Sequence, residues 1–222
     1  MLTARQVIVL DHTRRPRPLV ASALAAGAGL ALLVTAAAGM AHNPGVPPDF
    51  GVPSAPNGRT LSSASSRPDV GPPVVLEPPT ALAIPALRVQ ATVVPVDSSG
   101  EILGVPADPA QVGWWTGSAP PGAASGTVVI DGHIDSATTG PGAFYQLADL
   151  HIDDLLIITT TTGDRRNYAV TGRRTYLKAN GLPPDLFATT GPPRLVLITC
   201  GGSFDRSTGS YSHNIVVFAT PT

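Results

Sequence analysis

From Thr80 onward the apolar residues come in short, branched runs, each stopped by proline or glycine, and nothing in this stretch has the length or the period of a long helix. Runs within Ala81–Leu87, Ala91–Val96, Ile102–Pro106, Gly126–Ile130, Leu155–Thr162, Asn167–Leu177, Arg194–Cys200 and Tyr211–Ala219 read as strands. Roughly eight short strands with hairpin-length connections make a closed or nearly closed β-barrel the expected fold. The 24 prolines and 23 glycines, with few aromatics, fit turns and loops rather than a helical bundle. Pro85 and Pro95 lack the N–H of a sheet ladder, so they imply edges or bulges. Asp108–Val112 is expected to form one helical turn, and Leu182–Phe187 another, begun by its prolines. Trp114 and Trp115 are expected to pack beneath a loop.

The strand Arg194–Cys200 ends on the only cysteine of the chain and is followed by Gly201 and Gly202. A thiol there is held by rigid structure and opens onto a connection where a substrate could reach it. Free cysteine is also among the most buried residue types, so an inert packing role stands beside a nucleophilic one. A similar arrangement recurs in Thr127-Val128-Val129-Ile130-Asp131-Gly132-His133-Ile134-Asp135, where a branched strand runs into a glycine followed by histidine. Asp131 and Asp135, if close, would favour the charged imidazole. His151 has no comparable setting.

The N-terminal part determines where that thiol would work. Arg5, Arg14, Arg15 and Arg17 precede an uncharged run from Leu19 to Ala41. That is long enough to cross a bilayer core, which takes about 20 residues. Arginines on its N-terminal side would keep residues 1–18 in the cytoplasm and send the rest out. The competing reading is a cleaved signal peptide ending near Ala36–Ala41, although its apolar region would be unusually long. Residues 42–79, rich in proline, glycine and serine, read as a disordered tether, reaching roughly 100 Å if extended as polyproline II. The folded domain is then expected over 80–222. Outside the cytoplasm a single cysteine has no partner for an internal disulfide and is open to oxidation, so its presence argues for chemistry.

Several functions are disfavoured. The net charge of −1 and the absence of a basic, aromatic-studded stretch speak against a nucleic-acid surface. One cysteine and scattered histidines make no zinc-ligand cluster, and no metal or cofactor is expected. A thiol and an imidazole at strand ends are a nucleophile and a proton carrier for acyl transfer, completed by a donor or cation for the oxyanion.

At these residues the sequence resembles the sortase family. Leu197-Ile198-Thr199-Cys200 is similar to its Thr-Leu-x-Thr-Cys signature, Gly132-His133-Ile134-Asp135 to its Gly-His segment, and Tyr211–Ala219 to its last strand. Ile84-Pro85-Ala86-Leu87, Val105-Pro106, Val112-Gly113-Trp114-Trp115 and Gly140–Tyr145 resemble the class F sortases of actinobacteria in particular. The resemblance implies a mainly β fold: an eight-stranded sortase-type β-barrel with short helical turns, preceded here by a transmembrane helix and the Pro-rich tether. It implies a membrane-anchored monomeric transpeptidase with its catalytic domain outside the cell. Such an enzyme cuts a Leu-Pro-x-Thr-Gly-like sorting signal of secreted proteins between Thr and Gly. It holds the acyl group on cysteine and passes it to an amine of a cell-wall precursor or another protein. By position, Cys200 would be the nucleophile, His133 the general acid, and Thr199 would shape the substrate site.

The family's catalytic arginine lies on the last strand, whereas Ser212, His213 and Asn214 stand there. Arg206 is the nearest substitute if the connection after Cys200 folds back over the thiol. Arg173 and Arg174 are unmotivated alternatives, and Arg194 lies at the far end of its strand. The missing last-strand arginine also motivates a non-catalytic surface domain that binds a sorting peptide or glycan, and a cysteine hydrolase is a third reading.

Overall fold

The computed structural model describes residues 45–52, 76–100 and 102–222. The basic N-terminus and the apolar run expected to anchor the chain lie outside the described residues. Among the described residues no helix is long and apolar enough to cross a membrane.

Eight strands form the barrel: β1 (Pro79–Ile84), β2 (Val89–Val96), β3 (Val112–Trp115), β4 (Thr127–Gly132), β5 (Leu155–Thr160), β6 (Arg165–Leu177), β7 (Arg194–Asp205) and β8 (Ser210–Pro221). Their order around the sheet is β6-β5-β1-β2-β3-β4-β7-β8, and pairing of β8 with β6 closes it. β2 with β3 and β4 with β7 are parallel, and the other neighbours are antiparallel. Among the described residues helical structure is limited to single 3-10 turns, including Pro85–Leu87 and Pro184–Phe187.

Alternation along β7 explains why it reads as one unbroken apolar run. Leu195 and Leu197 point into the barrel beside Leu82, Val128 and Val217, while Val196 and Ile198 point outward beneath Trp115, Leu182 and Leu186. Both faces are therefore covered, and no polar residue is needed to meet water. Burial of each such side chain contributes about 1.5–3 kcal/mol. Continuing the alternation, Thr199 takes the inward side and Cys200 the outward one.

Three expectations change. Val112–Trp115 is a barrel strand, paired with both β2 and β4, so Trp115 is half of a sheet position as well as a packing residue. Residues 107–111 are bends and a turn rather than a helical turn. The piece at Ile102–Leu103 is not in the barrel and makes a small hairpin with Ser98–Ser99.

The expected tether also behaves differently in part. Within it, Phe50–Gly51 adds a short strand to β6 opposite Arg173 and Gly172. Arg173, 6% exposed, stacks its guanidinium 4.6 Å from the Phe50 ring centre and donates to the carbonyls of Ala148 and Pro48. Arg174 donates to the carbonyls of Phe50 and Gly51, and Asp49 accepts from the Thr175 N–H. Proline-rich composition gave no apolar period, but the sheet edge offered the partners this segment lacks internally. Phe50→Ala is expected to lower stability by about 1–2 kcal/mol through lost burial and cation–π contact. Urea unfolding of the full chain checks this, and an unchanged midpoint would show that the segment docks without adding stability.

Candidate active site

Parallel pairing of β4 and β7 sets the thiol and imidazole side by side. The register matches Ile198 with Asp131, so Cys200 and His133, each two residues further on, come level at the same end of adjoining strands. Both line one cleft of about 660 Å³, together with Ile102, Leu103, Pro106, Asp135, Lys178 and Tyr211. Its walls are mainly apolar, contributed by the segment around residues 102–109 and by Phe204.

The histidine is held by its surroundings. His133 Nε2 donates to the Pro106 carbonyl at 2.7 Å, which places a proton on that nitrogen. Its own carbonyl accepts from the Phe144 N–H at 3.0 Å. Gly142 lies so close to this turn that a Cβ there would fall 2.4 Å from the His133 carbonyl oxygen, so a side chain would push the turn away. Thr199 is 2% exposed and its hydroxyl donates to the Gly132 carbonyl at 2.8 Å. It braces β7 against the turn that carries His133 and does not line the cleft.

Cys200 is 3% exposed. Burial pushes its thiol above the ordinary range, while the Lys178 ammonium pulls it back. Lys178 Nζ donates to Cys200 Sγ and to Ser210 Oγ, each at 3.3 Å. The lysine reaches the thiol because it follows β6 at the residue after Leu177, on the side of the sheet where Tyr176, Asn214 and Cys200 stand in one row. It is the only lysine of the chain, but its place at a strand end does not say where it points, and only the β6–β8–β7 register brings it inward.

Arg206 is not brought to these residues. Strand β7 does not stop at Cys200 but continues through a bulge, with Gly202 at φ +77°, to Asp205, and pairs with β8 there. Arg206 therefore sits exposed on the turn at the hairpin tip, outside the cleft. The connection expected to fold back is instead an extended hairpin, whose Phe204 and Tyr211 rings pack 5.0 Å apart. Arg194 is buried at the other end of β7, bonded to Thr127 Oγ1. Arg173 and Arg174 are engaged by the docked segment described above.

Two further polar groups lie behind the thiol. Asn214, directly opposite Cys200, is 1% exposed and its side-chain amide has no hydrogen bond. Asp131 is equally buried; the N–H groups of its own residue and of Gly113 lean toward its carboxyl, but no bond of good geometry forms. Burial accordingly holds this carboxyl well above the usual carboxylate range. The folded state then keeps a proton that the unfolded chain has lost. Stability must fall as pH rises above that usual range, by at most about 1.4 kcal/mol per pH unit. Asp131→Asn is expected to flatten this slope, as read from denaturant midpoints between pH 5 and pH 8. Parallel slopes in the two proteins would clear Asp131 of the effect.

At the cleft mouth Tyr211 Oη donates to Asp135 Oδ2 at 2.5 Å. Burial, followed by this bond, pushes the phenol upward. Among the described residues no group of histidine, cysteine and carboxylate side chains could hold a metal ion. The site consequently offers a thiol, an imidazole and an ammonium around an apolar cleft, the groups that acyl transfer through a thioester uses.

Solved structures with a similar fold include a lid mutant of sortase A from Corynebacterium diphtheriae, 23% identical, with TM-score 0.50 and coverage of 68% of this chain and 74% of that one. The complex of Streptococcus agalactiae sortase C1 with MTSET is 20% identical, with TM-score 0.50 and coverage of 64% and 67%. A second crystal form of S. agalactiae sortase C1 gives TM-score 0.51 at 20% identity, covering 64% and 66%. No curated protein matches the sequence. The sortase domain model matches residues 82–222, which is more than half of the chain and contains both Cys200 and His133, and the chain therefore belongs to the sortase family.

Proposed function

We propose that the chain is a class F-like, membrane-anchored cysteine transpeptidase that acts outside the cytoplasm on Leu-Pro-x-Thr-Gly-like sorting signals. The observation that carries this reading is the level placement of Cys200 and His133 on parallel neighbouring strands in one apolar-walled cleft. Cys200 thiolate attacks the threonyl carbonyl carbon, and the carbonyl π electrons move to oxygen. As the intermediate collapses the C–N bond breaks, and the His133 imidazolium gives its proton to the departing glycyl amine. A neutral amine of a cell-wall precursor or another protein then attacks the thioester. The C–S bond breaks, the thiolate returns, and the proton lost by the amine restores the imidazolium. Leu and Pro of the signal suit the apolar wall formed by Ile102, Leu103, Val105 and Pro106.

The full chain, incubated with fluorescent sorting-signal peptides and an amine, is expected to yield the exchanged peptide and a thioester adduct on Cys200 by intact mass. Absence of both with a panel of such signals, from folded protein, would overturn the proposal. Burial of the thiol favours the second reading, a binding domain without turnover. That reading requires peptide binding unchanged by Cys200→Ala and a thiol inert to alkylating reagents.

A further inference from the structure

Lys178 is a buried ammonium in need of a counter-charge. It is 9% exposed and, among the described residues, its ammonium bonds only to Cys200 Sγ and Ser210 Oγ, both at 3.3 Å. An ammonium removed from water without an anion is costly, so the neutral-thiol arrangement leaves it poorly compensated. Among the described residues the other titratable groups on the cleft are His133, Asp135 and Tyr211, with Asp131 behind. Asp135 already accepts from Tyr211, His133 is bonded to the Pro106 carbonyl, and the Asp131 carboxyl sits in a dry setting that favours its neutral form. The group in contact with the ammonium that can supply a negative charge is the Cys200 thiol, through ionisation.

We infer that Lys178 is the catalytic cation of this protein, pairing with the Cys200 thiolate before attack and with the acyl oxygen after it. The second half rests on the transpeptidase reading above, whereas the pairing with the thiolate does not. The placement follows from the sheet. Leu177 pairs with His213, so Lys178 stands level with Ser212 on the strand beside β8. On β8 itself, Ser212 hydrogen-bonds His213 Nδ1 and Asn214 is uncharged, so this stretch of strand offers the thiol no fixed cation. A lysine from the neighbouring strand supplies it. When sulfur bonds to carbon, the negative charge moves from sulfur to oxygen; Lys178 follows by redirecting an N–H and transfers no proton. Ser210 is a positioning residue that holds the ammonium against the thiol.

Alkylation of Cys200, the only cysteine, tests the pairing without any peptide substrate. Full-length wild type, Lys178→Met and Lys178→Arg are treated with iodoacetamide across pH 6–10 and followed by intact mass. Lys178→Met is expected to react about tenfold more slowly at pH 7, its profile moved toward higher pH, whereas Lys178→Arg keeps the wild-type profile. In peptide exchange, Lys178→Arg is expected to stay active, whereas Lys178→Met is expected to lose about 10²-fold, as when one oxyanion donor is removed. Superimposable alkylation profiles for wild type and folded Lys178→Met would overturn the inference. Should that variant fail to fold, Lys178→Gln carries the same test, and a profile superimposable on that of wild type would overturn the inference equally. A shifted alkylation profile with no thioester from any peptide would leave the pairing standing and remove the transpeptidase reading. Wild-type exchange by Lys178→Met would do the reverse.

Discussion

Cys200→Ala is expected to abolish both the thioester adduct and amine exchange while leaving the barrel intact. Cys200 is the only cysteine of the chain, so no second thiol can replace it. The barrel should still fold, because the outward side of β7 at this position meets Lys178 and Asn214 rather than tightly packed hydrocarbon. Loss of the sulfur leaves the buried Lys178 ammonium with Ser210 Oγ, so stability should fall by about 1–3 kcal/mol. Removal of the lysine's anion acts in the same place, and a peptide-binding measurement separates the effects: affinity for a sorting-signal peptide should persist in the variant. Residual exchange above the level of mock protein would sink the nucleophile assignment.

His133→Gln is expected to lower exchange by about 10²–10⁴-fold, the usual worth of a positioned acid. Glutamine keeps an N–H that can reach the Pro106 carbonyl, so the cleft wall stays in place while the titrating proton is lost. A substrate with a weakly basic leaving group, such as a thiophenyl thioester, needs no proton at C–S cleavage and should be processed by this variant at close to the wild-type rate for acylation. An equal loss with both substrates would point to a misplaced cleft instead of a missing acid.

Much of this site could be read without coordinates, and the parts that could not have a common cause. The branched runs ending at Cys200 and at Gly132-His133 announce themselves through local composition, since a strand covered on both faces must be apolar at every position. The family resemblance of the same segments then matched the domain model over residues 82–222. Lys178 carried no comparable signal, because its neighbours in sequence say nothing about Ser210 or Cys200 on other strands. Arg206 was attractive by proximity along the chain, yet the hairpin β7–β8 extends past the thiol and carries it to the tip. The segment around Phe50 looked unstructured because its order depends on the edge of β6 and on Arg173 and Arg174.

The sequence by itself determined which residues can be strands, where the lone thiol and His133 stand on them, and that no internal disulfide consumes the thiol. These depend on alternation, turn chemistry and residue count, all local properties. Tertiary structure alone decided that Cys200 and His133 are level, that Asp131 is buried behind them, and that the cation at the thiol is Lys178. Register between strands is set by the packing of the whole barrel, and shifting a strand by one residue would turn each of these side chains to the opposite face.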